Sequence, residues 1–310
     1  MRTFSTPALG ALCAVGASAA FTLNDMSVKF LSGGYPLHQV IWIRSLVALT
    51  VVLAVILPLL GGYAQLRTRQ PRRHLLRGVF IVGSNMAFFM ALASMPISEA
   101  TAIFFVSPLV IALFSVVFLG ETVGPRRWAA IGIGMIGVII MIRPGSAAFT
   151  PVALLPLLAA TLYAGLNTMT RRMGALDSAA TMSFYVQITF LAFSIVFGLV
   201  TGDGRFDPGA DHASLSFLLR GWVWPNWQDA PFFLLAGLGT AFGGLLISQA
   251  YRLCEAALVA PLEYVAMPMA IFWGLMVFGE WPDPIAWSGI ALILGAGIYM
   301  IWRETRNQGQ

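Results

Sequence analysis

The amino-acid sequence predicts an all-α integral membrane protein whose ten transmembrane helices form two inverted five-helix repeats. Three observations predict it. The chain of 310 residues is 58% hydrophobic and only 10% charged, with a mean hydropathy of +0.82. A soluble domain carries about 25% charged residues. The apolar residues fall into continuous segments, each near the roughly 20 residues that cross a bilayer. A short pattern recurs about half a chain later. Backbone groups in a bilayer core must be satisfied within helices or a closed barrel. Barrel strands are short and alternate in polarity, whereas these runs are long and unbroken.

The first segment, 7–31, follows Arg2 and contains Ala17-Ser18-Ala19, which imitates a signal peptide with its cleavage site. The run continues past Ala19, and the charge distribution favours a retained helix. Its end, FTLNDMSVKF, carries Asn24, Asp25 and Lys29. Asp25 and Lys29 are four apart and share a helix face. In one reading Lys29 reaches the outer interface and neutralises Asp25. In the other, Asn24 and Asp25 face a wet cavity, as ionisable groups in spans tend to, and Lys29 tunes the charge of Asp25.

The second segment, 37–59, holds Arg44 about two turns in. Arginine keeps its charge and needs an acid or an anionic ligand. The third, 75–95, holds Asn85, and the fourth, 98–119, contains Pro108. The fifth, 127–143, carries Gly132, Gly134 and Gly137, which permit close packing within the chain or in a dimer. The sixth, 151–170, holds Tyr163 and Asn167 four residues apart; the seventh, 178–201, holds Tyr185 and Gln187. The eighth, 231–252, has a GxxxG at Gly239 and Gly243, then Gln249. The ninth, 256–278, places Glu263 and Tyr264 between Pro261 and Pro268. Proline removes backbone bonds and opens a helix, so a carboxylate there suits a cation or proton. A fixed Glu263–Arg44 pair is the alternative. The tenth segment is 284–302.

Asn85, Asn167, Gln187 and Gln249 fit interhelical hydrogen bonds as well as ligand contacts. The hydroxyls of Tyr163, Tyr185 and Tyr264 need partners in hydrocarbon. Together with in-span rings such as Trp42, Phe88, Phe89, Phe104, Phe105, Tyr251 and Trp273, they suit a flat or amphipathic metabolite better than a simple ion.

Charge sets the orientation. With the N-terminus in the cytoplasm, the inner side receives Arg2, Arg67, Arg69, Arg72, Arg73, Arg77, Arg126, Arg127, Arg171, Arg172, Arg252, Arg303 and Arg306, which is 13 of the 18 Lys and Arg residues. This is the positive-inside pattern, with both termini cytoplasmic, as in a bacterial inner-membrane protein. The net charge of +5 therefore points to a membrane rather than to nucleic acid. The long loop 202–230 falls outside, with Trp222, Trp224 and Trp227 as an interfacial anchor. Cys13 and Cys254 lie in or beside spans and argue for no disulfide framework and no metal site. No P-loop, catalytic triad or cofactor motif is visible, and the histidines are His38, His74 and His212. An enzyme and a resident cofactor are not expected.

The repeat carries the rest. FLGETVGPRRW (118–128) and VFGEWPDPIAW (277–287) align Gly120, Glu121 and Trp128 with Gly279, Glu280 and Trp287, an offset of 159 (120 to 279). Two halves result, 7–145 and 151–304. Five helices per half is odd, so the second half enters from the other side, placing Glu121 at the inner face and Glu280 at the outer.

A Pro-containing helix, a Gly-Glu turn and a small-residue helix closing each half resemble paired EamA domains of the drug/metabolite transporter superfamily. The resemblance covers nearly the whole chain and implies a ten-helix carrier with a central cavity. Within the superfamily, SGGYPLHQVIWIR (32–44), ISEATAIFFVSPLVIALFSVVFLGETVG (97–124) and LVAPLEYVAMPMAIFWGLMVFGE (258–280) are similar to bacterial importers of larger metabolites such as riboflavin and S-adenosylmethionine.

The expected function is secondary active transport of a small organic metabolite by alternating access. Asn24, Asp25, Arg44, Asn85, Tyr163, Asn167, Gln249, Glu263 and Tyr264 are the expected substrate contacts. Asp25, Lys29 and Glu263 tune charge or carry a coupling proton or cation. The partners are the metabolite and membrane lipid, for a monomer or a homodimer. Export of amino acids or drugs is the alternative. A channel would favour a repeated polar lining over isolated charges, and an assembly protein would not require charges at mid-span.

Overall fold

The computed structural model describes residues 6–120, 124–143, 150–173, 177–254 and 259–307. Every regular element among them is helical. Helix α1 is Thr6–Ser32, α2 is Leu37–Leu60 and α3 is Pro71–Leu92. Then come α4, Ile97–Leu119, α5, Pro125–Ile142, α6, Leu154–Met173, and α7, Ala179–Thr201. A short α8, Ala213–Leu219, precedes α9, Ala230–Leu253. A 3₁₀ segment, Ala260–Val265, leads into α10, Ala266–Phe278, and α11 is Pro284–Asn307.

Seven helical segments among the described residues are long and apolar enough to cross a membrane, and shorter apolar helices cover Gly132–Ile142, Leu262–Phe278 and Pro284–Ala296. Their outward faces are apolar: Leu199 is 83% exposed and Leu59 78%. Such surfaces suit lipid tails, and the chain is an integral membrane protein.

Proline positions explain where helices start and change. Pro71, Pro125 and Pro284 each open a helix, where a missing N–H costs nothing. In α2 a wide turn at Val52–Ile56 precedes Pro58, which cannot donate a backbone bond. The fourth apolar segment, continuous in sequence, is interrupted: helix Ile97–Phe104 ends at Phe105, and a new helix runs Ser107–Leu119 with Pro108 in its first turn.

The offset of 159 reappears in the backbone. Ser107–Leu119 shifted by 159 is Ala266–Phe278, the bounds of α10. Both helices end on a left-handed glycine, Gly120 at φ 71° and Gly279 at φ 66°, a conformation glycine adopts without a Cβ penalty. Pro125 and Pro284, which open α5 and α11, share the offset. So do Phe105 and Tyr264. Their rings meet edge-on at 5.3 Å, and the Tyr264 hydroxyl donates to the Phe105 carbonyl at 3.2 Å. Glu121, predicted at the inner face, lies outside the described residues.

The helix partners follow a pattern. Helix α1 packs on α9, α3 on α6, α2 on α7, and α5 on α11. Glycines make two of these contacts possible. A Cβ at Gly239 would lie 2.5 Å from the Ala20 carbonyl of α1, and one at Gly137 would lie 2.9 Å from the Gly289 carbonyl of α11. The GxxxG of α9 and Gly134 and Gly137 of α5 thus serve packing within this chain, whereas a Cβ on Gly132 would meet nothing within 4 Å.

Candidate functional site

A cavity of about 130 Å³ lies at the centre, bounded by α1, α2, α3, α4, α6, α7, α9 and the 3₁₀ segment before α10. Asn24, Asp25, Arg44, Asn85, Tyr163, Asn167 and Glu263 all line it.

Arg44 is 1% exposed. Its Nη1 donates to Asn24 Oδ1 at 2.8 Å and to Thr240 Oγ1 at 3.5 Å, and its Nη2 donates to Asn85 Oδ1 at 2.8 Å. The guanidinium carbon sits 4.9 Å from the ring centres of both Phe89 and Phe190. A planar cation fills such a slot because its faces stack while its edge donates. Asn24 continues the chain: it accepts from Thr240 at 3.0 Å and donates to Asp25 Oδ1 at 2.9 Å. Arg44 thus ties α1, α3 and α9 together from α2.

Glu263 lines the same cavity. The 3₁₀ turn carries it into the cavity, where Oε2 accepts from the Tyr163 hydroxyl at 2.7 Å and Oε1 from the Tyr251 hydroxyl. The Tyr163 ring packs against Phe104, centres 5.2 Å apart, and Phe104 against Phe88 at 5.0 Å. The site therefore combines aromatic faces, carboxamides, two arginines (Arg44 and Arg77) and two carboxylic acids.

Several expectations need correction. The structure pairs Lys29 not with Asp25 but with Glu280, Nζ to Oε1 at 2.8 Å, and Lys29 also donates to the Met95 carbonyl at 2.7 Å. Glu280 accepts from the Ile97 amide at 3.1 Å as well, so a third partner fixes it where Lys29 can reach. Arg44 and Glu263 share the cavity but no contact; among the described residues no ion pair joins them. Carboxamides already solvate Arg44, and phenols solvate Glu263. Gln249 and Tyr264 do not line the cavity: Gln249 accepts from Arg252 at 2.8 Å, and Tyr264 reaches Phe105. Arg77, counted above with the cytoplasmic loops, is 2% exposed and lines the cavity. Its Nε donates to Thr170 Oγ1 at 2.9 Å and its Nη1 to the Met182 carbonyl at 3.4 Å. A helix start at Pro71 rather than 75 places Arg77 two turns inside α3, and the proline was the available signal. Thr240 and Ser183 were also missed as polar wall residues, because small hydroxyls are common in ordinary packing.

Groups outside the spans behave as their contacts dictate. The Arg143 guanidinium bonds Asp283 and holds its carboxyl below the usual range. Burial, and then the bond to Asp229, push the Tyr35 hydroxyl up.

Residues 8–143 match the EamA-like transporter family. The chain is 30% identical to a riboflavin transporter of Vibrio cholerae over 97% of this chain and 95% of that protein. It is 33% identical to a riboflavin transporter of Rhizobium johnstonii over 80% of this chain and 76% of that one. An S-adenosylmethionine uptake transporter of Rickettsia prowazekii is 24% identical, covering 92% and 90%. A solved crystal structure, 20% identical, superposes with a TM-score of 0.68 over 98% of this chain and 99% of its own, which shows the fold. With its apolar helices around a polar, ring-lined cavity, this chain belongs to the EamA-like transporter family and is a membrane transporter of a small organic metabolite.

Proposed function

We propose that the chain is a ten-span secondary carrier that moves a flat, ring-bearing metabolite of the riboflavin class across a bacterial inner membrane by alternating access. The observation that carries the reading is the chemistry of the cavity. Phe88, Phe104 and Tyr163 offer ring faces, and Asn24, Asn85, Asn167 and Gln187 offer amide donors and acceptors. A flat heterocycle needs both. Arg44, a permanent cation on the wall, disfavours a sulfonium ligand, and the relatives named for riboflavin are more similar in sequence than the one named for S-adenosylmethionine.

Two halves of opposite orientation, 7–145 and 151–304, account for the pairing of helices. Exchanging the halves turns α1 with α9 into α6 with α3, and returns α2 with α7 and α5 with α11 to themselves. The matching bounds and caps at an offset of 159 support the same reading. Both termini then lie in the cytoplasm. The cavity, at about 130 Å³, is smaller than the several hundred Å³ of a typical ligand site. It must widen to admit three fused rings. The helix breaks at Phe105 and at Ala260–Val265 occupy corresponding places in the two halves and supply the points of movement. Asp25 and Glu263 are the candidate carriers of a coupling proton.

Titration of the detergent-purified protein with riboflavin tests the reading through flavin fluorescence. Saturable quenching is expected. No quenching from a protein whose melting temperature rises with S-adenosylmethionine would overturn the riboflavin class.

A further inference from the structure

We infer that Gln187 and Ser183 of α7 form an edge-reading subsite that accepts a planar ring carrying a hydrogen-bond donor beside an acceptor, as in a cyclic imide. The inference rests on the functional reading above and names the part of the ligand that this wall selects. Gln187 is fully buried and Ser183 is 1% exposed, and both line the cavity. Among the described residues, neither amide atom of Gln187 has a hydrogen-bond partner, nor does the Ser183 hydroxyl. The neighbouring Asn24 and Asn85 differ, since both are engaged by Arg44.

A buried carboxamide left unpaired is costly and rare in folded proteins. Packing does not explain it, because leucine would fill similar space without that cost. Residues 183 and 187 are four apart and share one face of α7. Phe190, three residues further on, lines the cavity and already stacks on Arg44. Opposite, Gly244 leaves room beside Ser183: a Cβ there would lie 3.5 Å from Ser183 Oγ.

The chemistry of the group selects its partner. A carboxamide presents an N–H donor and a C=O acceptor side by side. An anion would satisfy the donor and repel the acceptor. A hydrocarbon ring would leave both unpaired. An H–N–C=O edge satisfies both at once, its N–H donating to Oε1 and its carbonyl accepting from Nε2. A cyclic imide has a second carbonyl on the other side of its N–H, and the Ser183 hydroxyl is the donor for it. The ring of riboflavin carries such an edge, with N3–H between two carbonyls.

The test measures binding of riboflavin and N3-methylriboflavin to the intact protein by fluorescence. Wild type should prefer riboflavin by about tenfold or more, the loss expected when one buried polar contact is left unpaired. Gln187→Leu should lose most of that preference, because riboflavin binding weakens while the N-methyl compound is little changed. Its ligand-free melting temperature should hold or rise, whereas a structural role for Gln187 would lower it. Gln187→Glu, of the same shape, should weaken riboflavin at pH values where its acid is ionised, since a carboxylate only accepts and its second oxygen then opposes the ring carbonyl. Equal binding of the two flavins by wild type would overturn the subsite and leave the functional reading standing. Failure to bind either riboflavin or S-adenosylmethionine would overturn both.

Discussion

Replacing Arg44 with lysine probes the centre of the cavity without removing its charge. The guanidinium reaches Asn24 and Asn85, both at 2.8 Å, from between two rings at 4.9 Å. An ammonium reaches one of these acceptors at a time and cannot stack flat. The loss is one charge-assisted hydrogen bond, about 1.5–3 kcal/mol, plus about 0.5–1 kcal/mol of stacking. The sum is about 2–4 kcal/mol, which corresponds to roughly 30- to 1,000-fold in affinity if the tie shapes the ligand-binding state. Riboflavin titration and thermal melting in the same detergent measure both consequences. Arg44→Lys should bind more weakly by at least tenfold and melt earlier. A cycle with Asn85→Ala should show coupling of about 0.5–3 kcal/mol, whereas one with Glu263→Gln, which shares no partner with Arg44, should be close to additive. Wild-type affinity and wild-type melting in Arg44→Lys would refute the tie as a functional element.

Other outcomes follow from the same geometry. Asp25→Asn or Glu263→Gln, whichever acid carries the coupling proton, should abolish pH-driven accumulation in vesicles while substrate exchange persists; pH-driven uptake at wild-type level in both would exclude them. The Asp283 carboxyl is held low first by its bond from Arg143, so the stability it adds is present above about pH 4, its unfolded value, and is lost as pH falls through the depressed value. Asp283 is 44% exposed, so screening keeps the effect small; Asp283→Asn should shallow the acid limb of a melting-temperature profile, and an unaltered limb would dismiss the pair. Single cysteines at 70 and 215 in a background without Cys13 and Cys254 should label from the inside and the outside respectively, and labelling from one side alone would end the ten-span topology.

Hydropathy and the offset of 159 expose much of the architecture because both are properties of helices along the chain. Segment ends were legible where Pro284 opens a helix and where Gly120 and Gly279 close theirs, whereas the helices opened by Pro71 and Pro125 begin before the segment starts at 75 and 127 that hydropathy gave. The break at Phe105 was less so: Pro108 marks a weak point, but the Tyr264 hydroxyl that donates to the Phe105 carbonyl comes from a segment 159 residues away (105 to 264). The same limit governs the site. A polar residue in a span announces that it needs a partner, which is why seven of the nine expected substrate contacts line one cavity. Spacing does not name the partner. Lys29 shares a helix face with Asp25, yet Glu280 lies within 2.8 Å of it because α10 ends beside α1. Gln249 and Gln187 look alike in sequence; one binds Arg252 and the other faces the cavity with no partner among the described residues. Arg77 was misread as a loop cation because it closes an arginine-rich run whose helix begins earlier than its hydropathy.

Uptake of labelled riboflavin by liposomes containing only this protein is the most direct measurement. Saturable uptake is predicted, inhibited by unlabelled riboflavin and reduced by Arg44→Lys. Uptake no faster than in empty liposomes, from protein that melts cooperatively and is inserted in both orientations, would contradict the riboflavin-class reading.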